Sequence, residues 1–181
     1  MKIFGAVCGD IIGSPYEWNN IKTSSFPLFI SESNFTDDTV LTVAVADALL
    51  NGKDLSLTLW EYGNAYPNCG YGLGFSSWLC SHERKPYNSF GNGSAMRVSP
   101  VAYAYGTLEE VLKAAKESAE VTHSHREGIK GAQAVAAAIF MALHGSTKEE
   151  IKEYITKTFR YNLEKTMDEI RTNYTFSETL S

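Results

Sequence analysis

Cysteine is scarce in this sequence. Cys8, Cys69 and Cys80 are an odd number with no metal-type spacing, which points to reduced thiols in a cytosolic protein rather than a disulfide framework. No apolar run reaches membrane-spanning length. The opening Met1–Cys8 stretch briefly imitates a secretion signal, but Gly9-Asp10 interrupts it too early. A cytoplasmic protein is expected. Basic charge is not in excess either: 16 Lys and Arg against 21 Asp and Glu leave a net charge of −5. That balance argues against a broad nucleic-acid surface, although a local basic site would survive it. Strand-type alternation, internal repeats, linkers and any Ser–His–Asp or Cys–His order are also missing.

What remains is 181 residues, 44% of them hydrophobic and 20% charged, enough for one domain over 1–181 with a sizeable core. Helical patterns dominate. Ile3–Gly13 is apolar and rich in small residues, and its glycines would allow close approach to a neighbour or a ligand. Helical patterning resumes at Val40–Leu50, Leu55–Tyr66, Ser76–Ser81, Leu108–Val121, His125–Leu143, Ile151–Phe159 and Leu163–Ile170. Thr147-Lys148-Glu149-Glu150 is a capping box. The expected class is all-α, with function on the loops.

The chain is organised around Phe35-Thr36-Asp37-Asp38-Thr39, which runs straight into an apolar helix. Thr and Asp suit a helix N-terminus, where N–H groups lack partners and the dipole favours anions. One acid would serve as a cap. Two adjacent acids flanked by hydroxyls also form a cluster of hard oxygens of the kind that binds Mg²⁺ or Ca²⁺. Both readings stand on the residues alone. Asp10, the one charge inside the first apolar run, is either a satisfied core carboxylate or a support for a nearby site.

Ser89-Phe90-Gly91-Asn92-Gly93-Ser94-Ala95-Met96-Arg97 is the second candidate. Gly-Asn-Gly-Ser permits positive φ and exposes backbone N–H groups, which suits an anion such as phosphate, or else makes a tight turn before a helix. Arg97 would pair with a phosphate or with an acid in the core. In Thr122-His123-Ser124-His125, two imidazoles at a helix start suggest a hydrogen-bonding role towards a ligand or structural histidines; no Cys or Glu stands nearby at zinc-ligand spacing. Tyr71, Phe75, Tyr87 and Phe90 flank the glycine loops and offer base stacking or core packing.

In order along the chain, Gly5–Glu17, Phe35–Thr39, Tyr71-Gly72, Gly91–Val98 and Thr122–His125 resemble the ADP-ribosylglycohydrolase family, related to the dinitrogenase reductase-activating glycohydrolases. The resemblance implies a compact all-α bundle with two Mg²⁺ ions, or Mn²⁺, at the bottom of a cleft. It also implies cleavage of the glycosidic bond joining ADP-ribose to a protein side chain or a small acceptor. By resemblance Thr36, Asp37 and Asp38 are metal ligands, and Glu17, Asp37 and Asp38 are the catalytic acids. Gly91, Asn92, Gly93, Ser94, Ala95 and Met96 would hold the diphosphate and adjoining ribose, His123 would contact ADP-ribose, and Tyr71, Gly72 and Phe75 would line the adenine side. The transition state at the anomeric carbon would be oxocarbenium-like.

The family carries a second acidic motif, Gly-Asp-x-Asp-Thr, with the remaining metal ligands, and this sequence contains none. The expectation is therefore a C-terminally truncated member, about two-thirds of a typical one, with half its metal shell. Three functions follow: a metal-assisted ADP-ribosyl glycohydrolase completed from elsewhere, a non-catalytic ADP-ribose or nucleotide-binding protein, or a purely structural relative. A homo-oligomer, or a partner chain covering the truncated face, is expected as well. The faces expected to be uncovered are those of the acid-pair helix or of Ala132–Leu143.

Overall fold

The computed structural model describes residues 4–81 and 83–173. Among these the protein is all-α, as expected, with no strand. Helix α1 (Phe4–Gly13) runs into a 3₁₀ turn at Ser14–Tyr16 carrying Pro15 in its first turn. An irregular segment then leads to α2 (Asp37–Asn51), whose Val40, Leu41, Ala44, Val45 and Ala48 are buried. Gly52 ends α2 in the left-handed region at φ 60, where a side chain would be strained. Helix α3 (Leu55–Ala65) is capped by the Asp54 carboxylate on the Leu57 N–H and packs along α2.

Helix α4 (Leu73–Cys80) begins before the expected Ser76 start. Burial of Phe75 beside Trp78 and Leu79 draws Gly74 into the helix and outweighs its poor helix propensity. Two single turns, α5 (Gly93–Met96) and α6 (Val101–Ala104), precede α7 (Leu108–Glu120) and α8 (Arg126–Leu143), which pack along each other. Ala115, Ala119, Ala132 and Ala136 are fully buried, so these backbones approach closely. Helix α9 (Lys148–Phe159) docks on α8 through Ala134, Ala137, Ile155 and Phe159. Capping boxes start α7 (Thr107 with Glu110) and α9 (Thr147 with Glu150); the second was legible in the sequence. The last helix, α10, is Met167–Asn173, so the expected piece at Leu163 starts late.

Helix α1 departs from expectation. It is apolar, yet none of its residues is buried and Phe4 is 51% exposed. A Cβ added to Gly5, Gly9 or Gly13 would meet nothing within 4 Å. The close approach expected of these glycines is thus not made within the described residues. The acid-pair helix is instead well covered, with Val43 its half-exposed apolar residue before the C-terminal turn. No helix among the described residues is long and apolar enough to cross a membrane.

Candidate functional site

The start of α2 is built on Asp10. Its carboxylate accepts from the Thr36 N–H at 2.8 Å and the Thr36 hydroxyl at 2.6 Å, and from the Thr39 N–H at 3.1 Å and the Thr39 hydroxyl at 2.5 Å. An acid on α1 therefore satisfies orphan donors at the N-terminus of α2. Asp10 is a support for the acid pair, one of the two roles its sequence context allowed. Thr36 is the N-cap, its Oγ1 accepting from the Asp38 N–H at 3.3 Å, and the Asp37 N–H donates to the Cys69 carbonyl at 2.7 Å. This last bond lays the Cys69–Tyr71 turn against the acids, with Gly70 at φ 90.

With capping done by Asp10 and Thr36, the Asp37 and Asp38 carboxylates are left to feel the charges of their acidic neighbours. Burial is the larger cause that pushes Asp37 up to about 7, followed by the charges of Asp38 and Glu17. Burial likewise pushes Asp38 up to about 6, followed by the charges of Asp10 and Glu17. Glu17, at the end of the 3₁₀ turn, is raised by partial desolvation and then by Asp10. The structure thus brings Glu17, Thr36, Asp37 and Asp38 into one electrostatic cluster. A cation is the natural relief for such a cluster. Among the described residues, however, no three carboxylate, histidine or cysteine side chains converge into a ready cage. The donor set fits an ion of the Mg²⁺ kind, which takes one or two carboxylates and keeps much of its water, rather than a closed all-protein site.

The glycine loop differs from its sequence reading. Neither Gly91 nor Gly93 has positive φ; Asn88 does, at 54. Gly93 is small because His123 lies on it, a Cβ there falling 2.9 Å from Cε1 and 3.0 Å from Nε2. Part of the loop's N–H supply is spent internally. Gly91 donates to Ser89 Oγ, and Ala95 and Met96 donate to the Asn92 carbonyl. Ser94 is buried, and its hydroxyl donates to the Gly128 carbonyl at 2.9 Å, which pins the loop to α8. Arg97 meets no acid among the described residues: it is fully buried and bonds the Ser118 carbonyl and Thr122.

His123 is buried beneath the loop, whereas His125 is the N-cap of α8, its Nδ1 accepting from the Glu127 N–H at 3.2 Å. One of the two imidazoles is therefore a cap after all. Phe75 is packed between Tyr71 and Trp78, with ring centroids 5.2 Å away on each side, and Gly72 is the N-cap of α4. Tyr71 is half-buried and its hydroxyl is enclosed with no partner among the described residues. Phe90 is the aromatic beside the glycine loop that stands open, 59% exposed. It borders a cavity of about 590 Å³ that runs from Gly91 and Asn92 along α8 to Ile155 and Tyr161. A flanking aromatic was legible in the sequence; which one stays open was not. The acid cluster and the loop are joined through α2, which packs against α5, with Thr42 Oγ1 3.5 Å from the Met96 carbonyl.

The fold and these two clusters define an all-α protein whose polar groups gather at helix starts and in one glycine loop. A match to the ADP-ribosylglycohydrolase family spans residues 2–179, and the chain belongs to that family. It is similar to the ADP-ribosylhydrolase ARH3 of Mus musculus, 30% identical over 81% of this chain and 49% of the mouse protein. The Homo sapiens ARH3 is also 30% identical, over 81% of this chain and 50% of that protein. The Gallus gallus ARH3 is 35% identical over 65% of this chain and 37% of its own length. The chain spans about half the length of the curated relatives it matches.

Proposed function

We propose that this chain binds ADP-ribose and takes part in hydrolysing the glycosidic bond that links it to a protein side chain or a small acceptor. The observation that carries the reading is the Asp37–Asp38 pair, freed from capping and held with raised affinity for protons. An ionised carboxylate of this pair can take a proton from an attacking water. Its partner acid and Glu17 supply negative charge that favours an oxocarbenium-like centre. Asp37, Asp38 and an Oγ1 lone pair of Thr36 would hold Mg²⁺, or Mn²⁺, which when bound supplies charge neutralisation and a polarised water. The loop from Gly91 to Met96, with His123 beneath it, would hold the diphosphate and ribose. Phe90 is the open aromatic face for the base, and Tyr71 with Gly72 shapes the turn beside the acids.

A second reading is a protein that holds ADP-ribose without cleaving it, favoured because no third ligand converges among the described residues. We further place the protein in the cytoplasm and infer that α1 is covered by a second copy or a partner chain, because none of its apolar residues is fully buried and Phe4 is exposed. Incubation with ADP-ribosylated arginine or serine substrates, with and without Mg²⁺, tests the function. Metal-dependent release of ADP-ribose is expected. Calorimetric binding of ADP-ribose with no release at high protein concentration would select the second reading, and no binding would sink both.

A further inference from the structure

Arg97 carries a buried charge that no carboxylate meets among the described residues. Its Nη2 donates to Thr122 Oγ1 at 2.8 Å and to the Ser118 carbonyl at 3.3 Å. A guanidinium only donates, so the Thr122 oxygen is an acceptor in that bond. Thr122 is itself fully buried, and its other side-chain contact is with His123 Nδ1 at 2.7 Å. The hydroxyl hydrogen of Thr122 has that nitrogen as its acceptor. If Nδ1 carried a proton instead, the hydroxyl hydrogen would be buried with nowhere to go. A neutral ring that accepts at Nδ1 must carry its proton on Nε2. Nε2 is the nitrogen turned to the glycine loop, and a Cβ on Gly91 would stand 4.0 Å from it.

We propose that Arg97 and Thr122 are positioning residues that hold His123 as the Nε2–H tautomer, making it a hydrogen-bond donor across the Gly91–Gly93 loop to an acceptor-only group such as a phosphate ester oxygen. The ligand named here rests on the reading above; the tautomer does not. Burial, and then the Arg97 charge, push the His123 pKa down to about 4, so the ring stays neutral at ordinary pH. A neutral donor adds no charge of its own to the site, and its contribution does not fade between pH 5 and 8 as that of an imidazolium would. The order of the relay also gives Arg97 a use that its sequence context left open. Among the described residues it is not half of a core ion pair, and its Nε and Nη1 find no partner there; its Nη2 is the fixed donor that sets the direction of the Thr122 hydroxyl.

The test is long-range ¹H–¹⁵N correlation of the histidine rings in the free protein, with His123→Gln to assign the signal. The expected wild-type pattern is an unprotonated Nδ1 and a protonated Nε2, unchanged from pH 8 to 5. Thr122→Val, which keeps the shape and removes the hydroxyl, should mix the tautomers and weaken ADP-ribose binding by about tenfold in calorimetry. Thr122→Ser should restore both. A ring protonated at Nδ1, or on both nitrogens at pH 7, would overturn the proposal, as would a Thr122→Val protein with unchanged tautomer and affinity. A correct tautomer in a wild-type protein that binds no ADP-ribose would leave the relay standing and remove the functional reading.

Discussion

Asp10 and Thr36 are joined twice, carboxylate to N–H at 2.8 Å and carboxylate to hydroxyl at 2.6 Å. The same carboxylate repeats the pattern on Thr39. Four donors at the N-cap and first turn of α2 thus converge on one anion supplied by α1. This division of labour lets Asp37 and Asp38 keep their carboxylates out of capping. The two acids that the sequence makes conspicuous owe their freedom to a third one nearly thirty residues upstream.

Replacement of Asp10 by Asn tests that arrangement. Three of the four bonds go to Oδ2 and one to Oδ1, so an amide loses at least one bond to its N–H₂ and weakens the other three by removing the charge. Urea unfolding of Asp10→Asn should show a loss of about 2–3 kcal/mol. Mg²⁺ affinity, read by calorimetry, should fall in the same variant because the acid pair is no longer held in register.

The acid pair sets a pH dependence whose sign runs against ordinary acid denaturation. In the folded protein Asp37 and Asp38 titrate near 7 and 6, above their usual value of 3.8. The folded state then binds more protons than the unfolded chain between about pH 4 and 7. The stability these two groups contribute is fully present below that window and is lost as pH rises through it. Without added metal, Asp37→Asn/Asp38→Asn should be more stable than the wild type by at least about 1 kcal/mol at pH 7.5, with the difference vanishing by pH 4. Saturating Mg²⁺ should stabilise the wild type and not the double variant. A wild type that is the more stable protein at pH 7.5 in chelator would return the acids to a plain capping role.

Close approach at His123 gives a steric prediction. A Cβ on Gly128 would lie 2.8 Å from the Ser89 carbonyl oxygen and 2.9 Å from His123 Cβ. Backbone must move to admit it, so Gly128→Ala should cost about 1–3 kcal/mol in thermal or urea unfolding. A Cβ on Gly93 meets only the imidazole edge. Gly93→Ala should therefore displace the His123 ring and weaken ADP-ribose binding more than it lowers stability.

The contrast between these glycines shows where sequence reading reached its limit. Apolar periodicity and caps are local signals, so the all-α class, the capped α2 and the Thr147–Glu150 box were legible. The purpose of Gly93 depends on His123, brought against it by the packing of α5 against α7 and α8. Nothing local in Gly-Asn-Gly-Ser distinguishes space for a ring from freedom of φ. The same holds for Phe75, whose burial decides where α4 starts, and for His125, whose capping depends on the turn that aims its Nδ1 back at Glu127. Asp10 lay between these cases: an acid in an apolar run announced a partner, and the fold identified the partner as Thr36 and Thr39.

The open face of α1 gives the last prediction. Gly9 lies inside a helix where a Cβ would meet nothing within 4 Å. In a chain that stays alone, Gly9→Ala should stabilise by about 0.5–1 kcal/mol, the helix-interior difference between the two residues. If α1 packs against a second copy, its glycines form the surface of contact and the added methyl groups collide across it. Light scattering over a dilution series separates the two cases. An associating wild type and a more monomeric Gly9→Ala protein are expected. A wild type that is monomeric at every concentration, with a Gly9→Ala variant that only gains stability, would show that α1 is left to solvent and would end the case for association through it.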